Sequence, residues 1–462
     1  MSTASPETTA RFPGQAAVRE RAITAMLGAA IVMVIMNTMM FNLALPSVSR
    51  DFGMSTSVVS WIVTGYSIVF AIASITYSRL ADFIPIRRLF VIGLLSLSLA
   101  AIVGCFSNSF ALLLAVRIVQ ASGAGAIPAL SLVLVSRYIP LERRGKAMAA
   151  IMSAASLGLG LGPVAGGAIV QLLGWHYLFV VTALTLLLVP AFAKLIPEET
   201  PRQGTFDVWG AAFVGIGTTG LLLFLTTQSW LALTIGVVSL ILFAARIRTA
   251  ADPFVQPSLF ANRPYLTLGA VGIGAYLCSF ATLFIMPQIL LNLYGLSAIE
   301  AGLVIFPGSL LAMLLSRKVG AMIDRFGNGG IIRNAPLLLL ASAVLFALFA
   351  GTTYIAILLI YMLLSVAFTF LTSSISNEMS RILDSRQIGS GLGLFQLLQF
   401  FSGAFGVAAT ASAMAVQQRL PQRIAYGNIY WGMAVIALAA IVCAYLYRRS
   451  TAAAAGRAGA KA

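Results

Sequence analysis

The chain is poor in the residues from which soluble catalytic sites are built. Only 9% of its 462 residues are charged, 13 are acidic, one is histidine and three are cysteine. A lone histidine, His176, leaves no room for a histidine-based metal set or catalytic centre. Cys105, Cys278 and Cys443 lie far apart in apolar runs. They form no metal-ligand spacing and no disulfide framework, and read as small buried hydrophobes. Nothing here implies a metal, a cofactor or an enzyme, because acids, histidines and nucleophiles do not converge near one surface. Long polar stretches are scarce too. At 60% hydrophobic the chain is too apolar for a soluble protein and is expected to be an all-α integral membrane protein.

What is present is a succession of apolar runs. A spanning helix takes about 20 mostly apolar residues, and fourteen segments between residues 23 and 447 meet that length. They group as a cytoplasmic tail (1–22), a six-helix half (23–196), a central two-helix hairpin (207–247), a second six-helix half (264–447) and a cytoplasmic tail (448–462), whose low-complexity part from Thr451 to Ala462 is expected to be disordered. The first apolar run is longer than a signal-peptide core and lacks a convincing cleavage site, so it reads as a retained helix. The hairpin rests on length alone, since dropping both its helices would preserve the topology.

Charge sets the orientation. With the N-terminus inside, the outer loops hold only Arg50, Arg419 and Arg423. Arg117 lies within a span, and every other basic residue falls on the cytoplasmic side. This positive-inside bias places both termini in the cytoplasm. It also accounts for the net charge of +16 without a nucleic-acid partner.

Arg117 is the only charge inside a long apolar run. A guanidinium there costs roughly 2.5–3.5 kcal/mol on insertion scales and is a functional-site hypothesis by default. Gln120 lies one turn on, where its amide can orient the guanidinium. The alternative is a structural arginine bonded to helix carbonyls. In the next span Gly158, Gly162 and Gly166 recur every four residues on one face, open to close approach by another helix. Pro163 and Gly167 complete the pattern glycine-x-x-x-glycine-proline-x-x-glycine-glycine.

Two loops repeat. SRLADFIPIRR (78–88) and GAMIDRFGNGGIIR (320–333) each carry an acid, Asp82 or Asp324, followed by basic residues. Halves related in this way are a feature of secondary transporters, with the substrate site between them. The first loop resembles the signature of the major facilitator superfamily in Leu80, Asp82, Arg87 and Arg88, with Ser78 and Pro85 replacing its glycines. The second matches it in Gly320, Asp324, Arg325 and Gly327. An aspartate at a helix end facing arginines can latch cytoplasmic ends together, so these residues are a candidate gate; the alternative is a solvated loop.

Further stretches, SRYIPLERRGKA (136–147), DPFVQPSLF (252–260) and IFPG (305–308), are similar to fourteen-helix tetracycline and multidrug antiporters of bacteria. The glycine-proline pattern resembles the exporter signature of that branch. The resemblance implies a major facilitator fold in a bacterial plasma (inner) membrane, a small-molecule substrate and the proton as coupling ion. It also implies a role for the buried arginine in proton transfer or substrate response. One departure bears on the mechanism. Those antiporters carry carboxylates within the membrane, whereas none of the 13 acids here falls in mid-span. Asn37, Asn42, Gln396 and Gln399 stand as neutral cavity-lining candidates, or as interhelical hydrogen-bonding groups. The expectation is proton-coupled efflux of drug-like molecules by alternating access. The alternative is a non-proton-coupled exporter or permease of an endogenous metabolite.

Overall fold

The computed structural model describes residues 16–54, 56–59, 61–199, 206–250, 252–384, 387–417 and 419–459. Some side chains inside those ranges, Asn42 among them, lie outside the described set. The first half comprises α1 (Ala16–Phe52), α2 (Trp61–Leu80), α3 (Ile86–Gly104), α4 (Phe110–Tyr138), α5 (Leu141–Leu172) and α6 (Tyr177–Leu195). The central hairpin is α7 (Val208–Thr227) and α8 (Trp230–Thr249). The second half is α9 (Arg263–Gln288), α10 (Ala298–Phe326), α11 (Gly329–Phe349), α12 (Tyr354–Ile382), α13 (Ile388–Val416) and α14 (Gln422–Gly459). No strand occurs among the described residues.

Among the described residues, twelve helices are long and apolar enough to cross a membrane. A thirteenth is α10 if its two arms, bent by 42° between Leu315 and Lys318, form one span. The apolar part of α7, Val208–Phe224, is shorter. Length and composition therefore carry twelve or thirteen spans, and the fourteen-span count is not established. The C-terminal tail differs from expectation. Its alanine-rich sequence extends α14 to Gly459, as alanine's high helix propensity favours.

Local chemistry starts, bends and stops these helices. Ser109 caps α4 by accepting the Leu112 N–H at 3.3 Å, and Asn262 caps α9 through the Tyr265 N–H at 3.1 Å. Ser297 and Glu300 form a reciprocal capping box at α10. The helix breaks for one residue at Gly125 in α4, three residues before Pro128, which cannot donate to the preceding turn. Ser74 of α2 donates to the Gly125 carbonyl at 3.1 Å. A Cβ on Gly125 would come within 2.5 Å of the Phe70 carbonyl, so glycine is what lets α4 meet α2 there.

The halves join along two seams, α5 against α10 and α12, and α2 against α13. Across them Phe70 meets Phe400 at 4.6 Å between ring centroids, and the Ser156 hydroxyl lies 3.2 Å from that of Thr369. The hairpin packs outside the α2–α13 seam. Its base is pinned by Asp207, which accepts from Gly210 N at 3.0 Å, Arg246 Nε at 3.1 Å and Phe254 N at 3.2 Å. One carboxylate thus caps α7, ties α8 and anchors the following linker. The chain turns from α7 to α8 at Gln228, at a φ of 54°.

A buried guanidinium clamp as the candidate functional site

Arg117 is fully buried in α4. Its guanidinium carbon lies 3.9 Å from the ring centroid of Phe41 on α1 and 4.0 Å from that of Tyr66 on α2. Desolvated cation–π contacts of this kind contribute on the order of 2 kcal/mol each. Nε donates to the Ile62 carbonyl at 3.2 Å, and Nη1 donates to Gln120 Oε1 at 3.1 Å and Asn37 Oδ1 at 3.4 Å. Asn37 is held in turn: it donates to the Tyr66 hydroxyl at 3.3 Å and accepts from Thr182 of α6 at 2.9 Å. Four helices thus converge on one cation.

The clamp contains no acid. None of the ion pairs among the described residues involves Arg117. Its Nη2 and the Gln120 Nε2 are buried without a partner. A buried charge is normally paired; here two aromatic faces and neutral acceptors hold it, with two donors left over. Chemically, free guanidinium and amide N–H donors of this kind pair with an oxyanion or a strongly polarised carbonyl.

Sequence spacing brought Arg117 and Gln120 together, and the fold adds Asn37. The side chain of Asn42 lies outside the described residues. Gln396 and Gln399 are buried in α13, with Gln396 Oε1 and Gln399 Nε2 unpartnered, and make no bond to the clamp. Phe41, Tyr66 and Thr182 were not anticipated. They sit far from Arg117 in sequence, and an aromatic residue in an apolar run carries no local mark of contact with a cation.

The glycine face of α5 packs on α1. A Cβ on Gly158 would lie 2.9 Å from the Val32 carbonyl, one on Gly166 would lie 2.8 Å from the Met40 Cα, and one on Gly162 would collide with Met39. This close approach seats the α1 segment that carries Asn37 and Phe41. Gly167 is buried, and α5 runs through Pro163 without interruption.

The candidate gate is arranged differently from the sequence expectation. Among the ion pairs of the described residues, Asp82 meets Arg79 and Arg137 rather than Arg87 or Arg88. It binds Arg79 at 2.8 Å and Arg137 of α4 at 2.9 Å, stapling α2 to α4 within one half. The turn through Pro85 carries Arg87 out to Glu198 at 2.6 Å and leaves Arg88 exposed. Asp324 does cross between halves. It lies against the start of α5, where a Cβ on Gly145 would collide with its carboxylate. Its neighbour Arg325 is exposed and covers the ring of Phe326. Nearby, Arg144 of α5 donates to the Ser380 hydroxyl at 3.2 Å and its carbonyl at 3.3 Å. Gly327 ends α10 at a φ of 74°, as the signature glycine permits, whereas the first loop turns with no positive φ, so Ser78 and Pro85 are tolerated there. A cavity of about 980 Å³ opens at this end between α1, α5 and Met313, rimmed by the 2.9 Å Arg143–Glu20 pair, and Arg117 does not line it.

Two six-helix halves, a repeated acidic loop and a buried arginine coincide with a family match. The Major Facilitator Superfamily model matches residues 27–407. The chain belongs to the Major Facilitator Superfamily. It is 25% identical to the riboflavin transporter RibZ of Clostridioides difficile, over 89% of this chain and 93% of the relative. It is 27% identical to the multidrug resistance protein Stp of Mycobacterium tuberculosis, over 65% of this chain and 58% of that protein. Among solved structures, the human organic anion transporter MFSD10 (TETRAN) superposes with a TM-score of 0.68 at 16% identity, over 90% of this chain and 99% of that one, which supports the fold. The protein is a multi-pass membrane transporter of this superfamily, and its relatives are transporters rather than enzymes.

Proposed function

We propose that this transporter exports drug-like, oxygen-rich organic molecules by alternating access, and that the substrate itself supplies the negative or polarised oxygen that Arg117 lacks. The observation that carries this reading is the acid-free clamp: a fully buried guanidinium between Phe41 and Tyr66 with Nη2 unpartnered. A cationic substrate would add repulsion at this site, whereas an enolate, imide or carboxylate would complete the hydrogen bonding. Export is supported by the glycine-proline pattern of α5 and by the relative named as a multidrug resistance protein. In this reading the end that carries Asp82 and Asp324, and both termini, face the cytoplasm of a bacterial plasma membrane, which the basic residues there support. Proton coupling enters through the family resemblance, with Asp82, Asp324 and His176 as the titratable groups to substitute.

A second reading, exchange or uptake of an endogenous metabolite without protons, is favoured by the absence of a carboxylate at the clamp and by the relative named as a riboflavin transporter. Reconstituted protein distinguishes the two. Vesicles are loaded in turn with tetracycline, riboflavin and ethidium, and flux is followed with and without a pH gradient. The first reading expects tetracycline flux that responds to the gradient and is lost in Arg117→Ala. Riboflavin flux indifferent to the gradient establishes the second. Ethidium flux that survives Arg117→Ala sinks the anion reading.

A further inference from the structure

The face of α12 that meets α5 is lined with hydroxyls. Thr369, Ser373, Ser376 and Ser380 follow at intervals of four, three and four residues, which places them on one side of the helix. Both ends of this row reach α5: Thr369 through Ser156 at 3.2 Å, Ser380 through Arg144 at 3.2 Å. The two middle hydroxyls, Ser373 and Ser376, are fully buried and have no hydrogen-bond partner. On α5 the four-residue spacing from Arg144 to Ser156 puts Met148 and Met152, both buried, on the matching face. Methionine sulfur is a poor acceptor, so this face of α5 offers the serines no strong partner. Ser365, one turn before Thr369, is likewise buried and unpartnered, and lies beside Gly308 of α10.

We propose that this hydroxyl row is the cytoplasmic-side binding wall for the uncharged end of the substrate, taking the hydroxyl and carbonyl groups of a polyoxygenated molecule when α5 and α12 part. The inference rests on the transport reading above and adds a second subsite in the opposite half. Unsatisfied hydroxyls at a seam between moving bodies gain partners only when the seam opens to water or substrate. An apolar seam would do the closing alone, without these groups.

Cysteine accessibility tests it. Cys105, Cys278 and Cys443 are first replaced by alanine. Ser373→Cys, Ser376→Cys and Leu371→Cys are then introduced singly, with Arg333→Cys at the exposed start of α11 as the reactive reference. Leu371 is fully buried and lies on the opposite side of α12 by helical spacing. A membrane-impermeant maleimide is applied to inside-out vesicles. The expected result is reaction at residues 373 and 376 at least tenfold faster than at 371, slowed at least fivefold by saturating tetracycline or riboflavin. Rates at 373 and 376 equal to that at 371, with Arg333→Cys reacting normally, overturn the proposal. Reaction that neither probe slows overturns the binding role. Labelling needs no transport, so failure of the Arg117 reading shows separately, as lost anion preference with an unchanged labelling pattern.

Discussion

Among the described residues, both halves bury unpartnered polar atoms, but only the first gathers its polar groups around a fully buried charge. In the first, Arg117, Asn37, Tyr66, Gln120 and Thr182 bind one another across α1, α2, α4 and α6, and two aromatic rings cover the charge. In the second, α12 buries Ser365, Ser373, Ser374 and Ser376, and α13 buries Gln396 and Gln399, with polar atoms that bond to nothing in this state. A network joined within one half behaves as a rigid body. Groups left unsatisfied at or near a seam make the closed seam less stable than an apolar one would be. The contrast is between a connected network and a set of open hydrogen-bonding groups.

The sharpest way to break the contrast is at Arg117. Arg117→Ala leaves Asn37 and Gln120 short of a donor and is expected to reduce tetracycline flux in proteoliposomes at least 100-fold. Arg117→Lys is expected to do nearly as badly, since a lysine ammonium cannot fill a planar slot between two rings. Activity retained in the lysine variant would show that charge alone suffices and that the clamp geometry is incidental.

Next comes the Asp82 staple. Asp82→Asn takes the carboxylate from Arg79 and leaves Arg137 only the longer 3.8 Å contact to Glu199, and breaking a largely buried pair costs about 3–5 kcal/mol. The expected outcome is a drop in thermal unfolding temperature of several degrees in detergent. Asp324→Asn, at the seam, is expected to leave that temperature nearly unchanged while altering transport rate. Equal effects of the two substitutions would remove the distinction between a staple within one half and a contact between halves.

The α12 row makes a prediction of opposite sign. Ser373→Ala with Ser376→Ala removes two unsatisfied hydroxyls, each costing about 1–3 kcal/mol when dry. The double variant is expected to unfold at a higher temperature than the parent and to transport more slowly. A lower unfolding temperature would mean that these hydroxyls are bonded after all. The mildest change is Tyr66→Phe, which keeps the ring over Arg117 but removes the hydroxyl that accepts from Asn37. A loss of about 0.5–1.5 kcal/mol, read as a small shift in unfolding temperature with flux within tenfold of the parent, is expected.

Much of the architecture was readable from residue patterns. Helix positions follow from apolar run length, because a bilayer of fixed thickness admits few alternatives. The Arg117–Gln120 bond and the glycine face of α5 follow from the helical period, which brings residues three and four apart onto one side. The partners of Asp82 did not follow. Arg87 and Arg88 are near in sequence but lie beyond the Pro85 turn, while Arg137 arrives from another helix. The α12 hydroxyls were visible as a spacing, yet serine in a membrane helix also satisfies itself on its own backbone, so spacing could not show which were left unpaired.

Composition and periodicity alone determined the membrane setting and the presence of one costly cation, since each depends on local hydrophobicity or on distances along a helix. Helix-to-helix packing settled the rest: which rings clamp Arg117, that no carboxylate joins it, where Asp82 and Asp324 point, and that α12 turns its hydroxyls toward α5. Such contacts join residues from 51 to 236 positions apart, as Arg117 to Tyr66 and Arg144 to Ser380 do. No periodicity along the chain encodes which helices become neighbours.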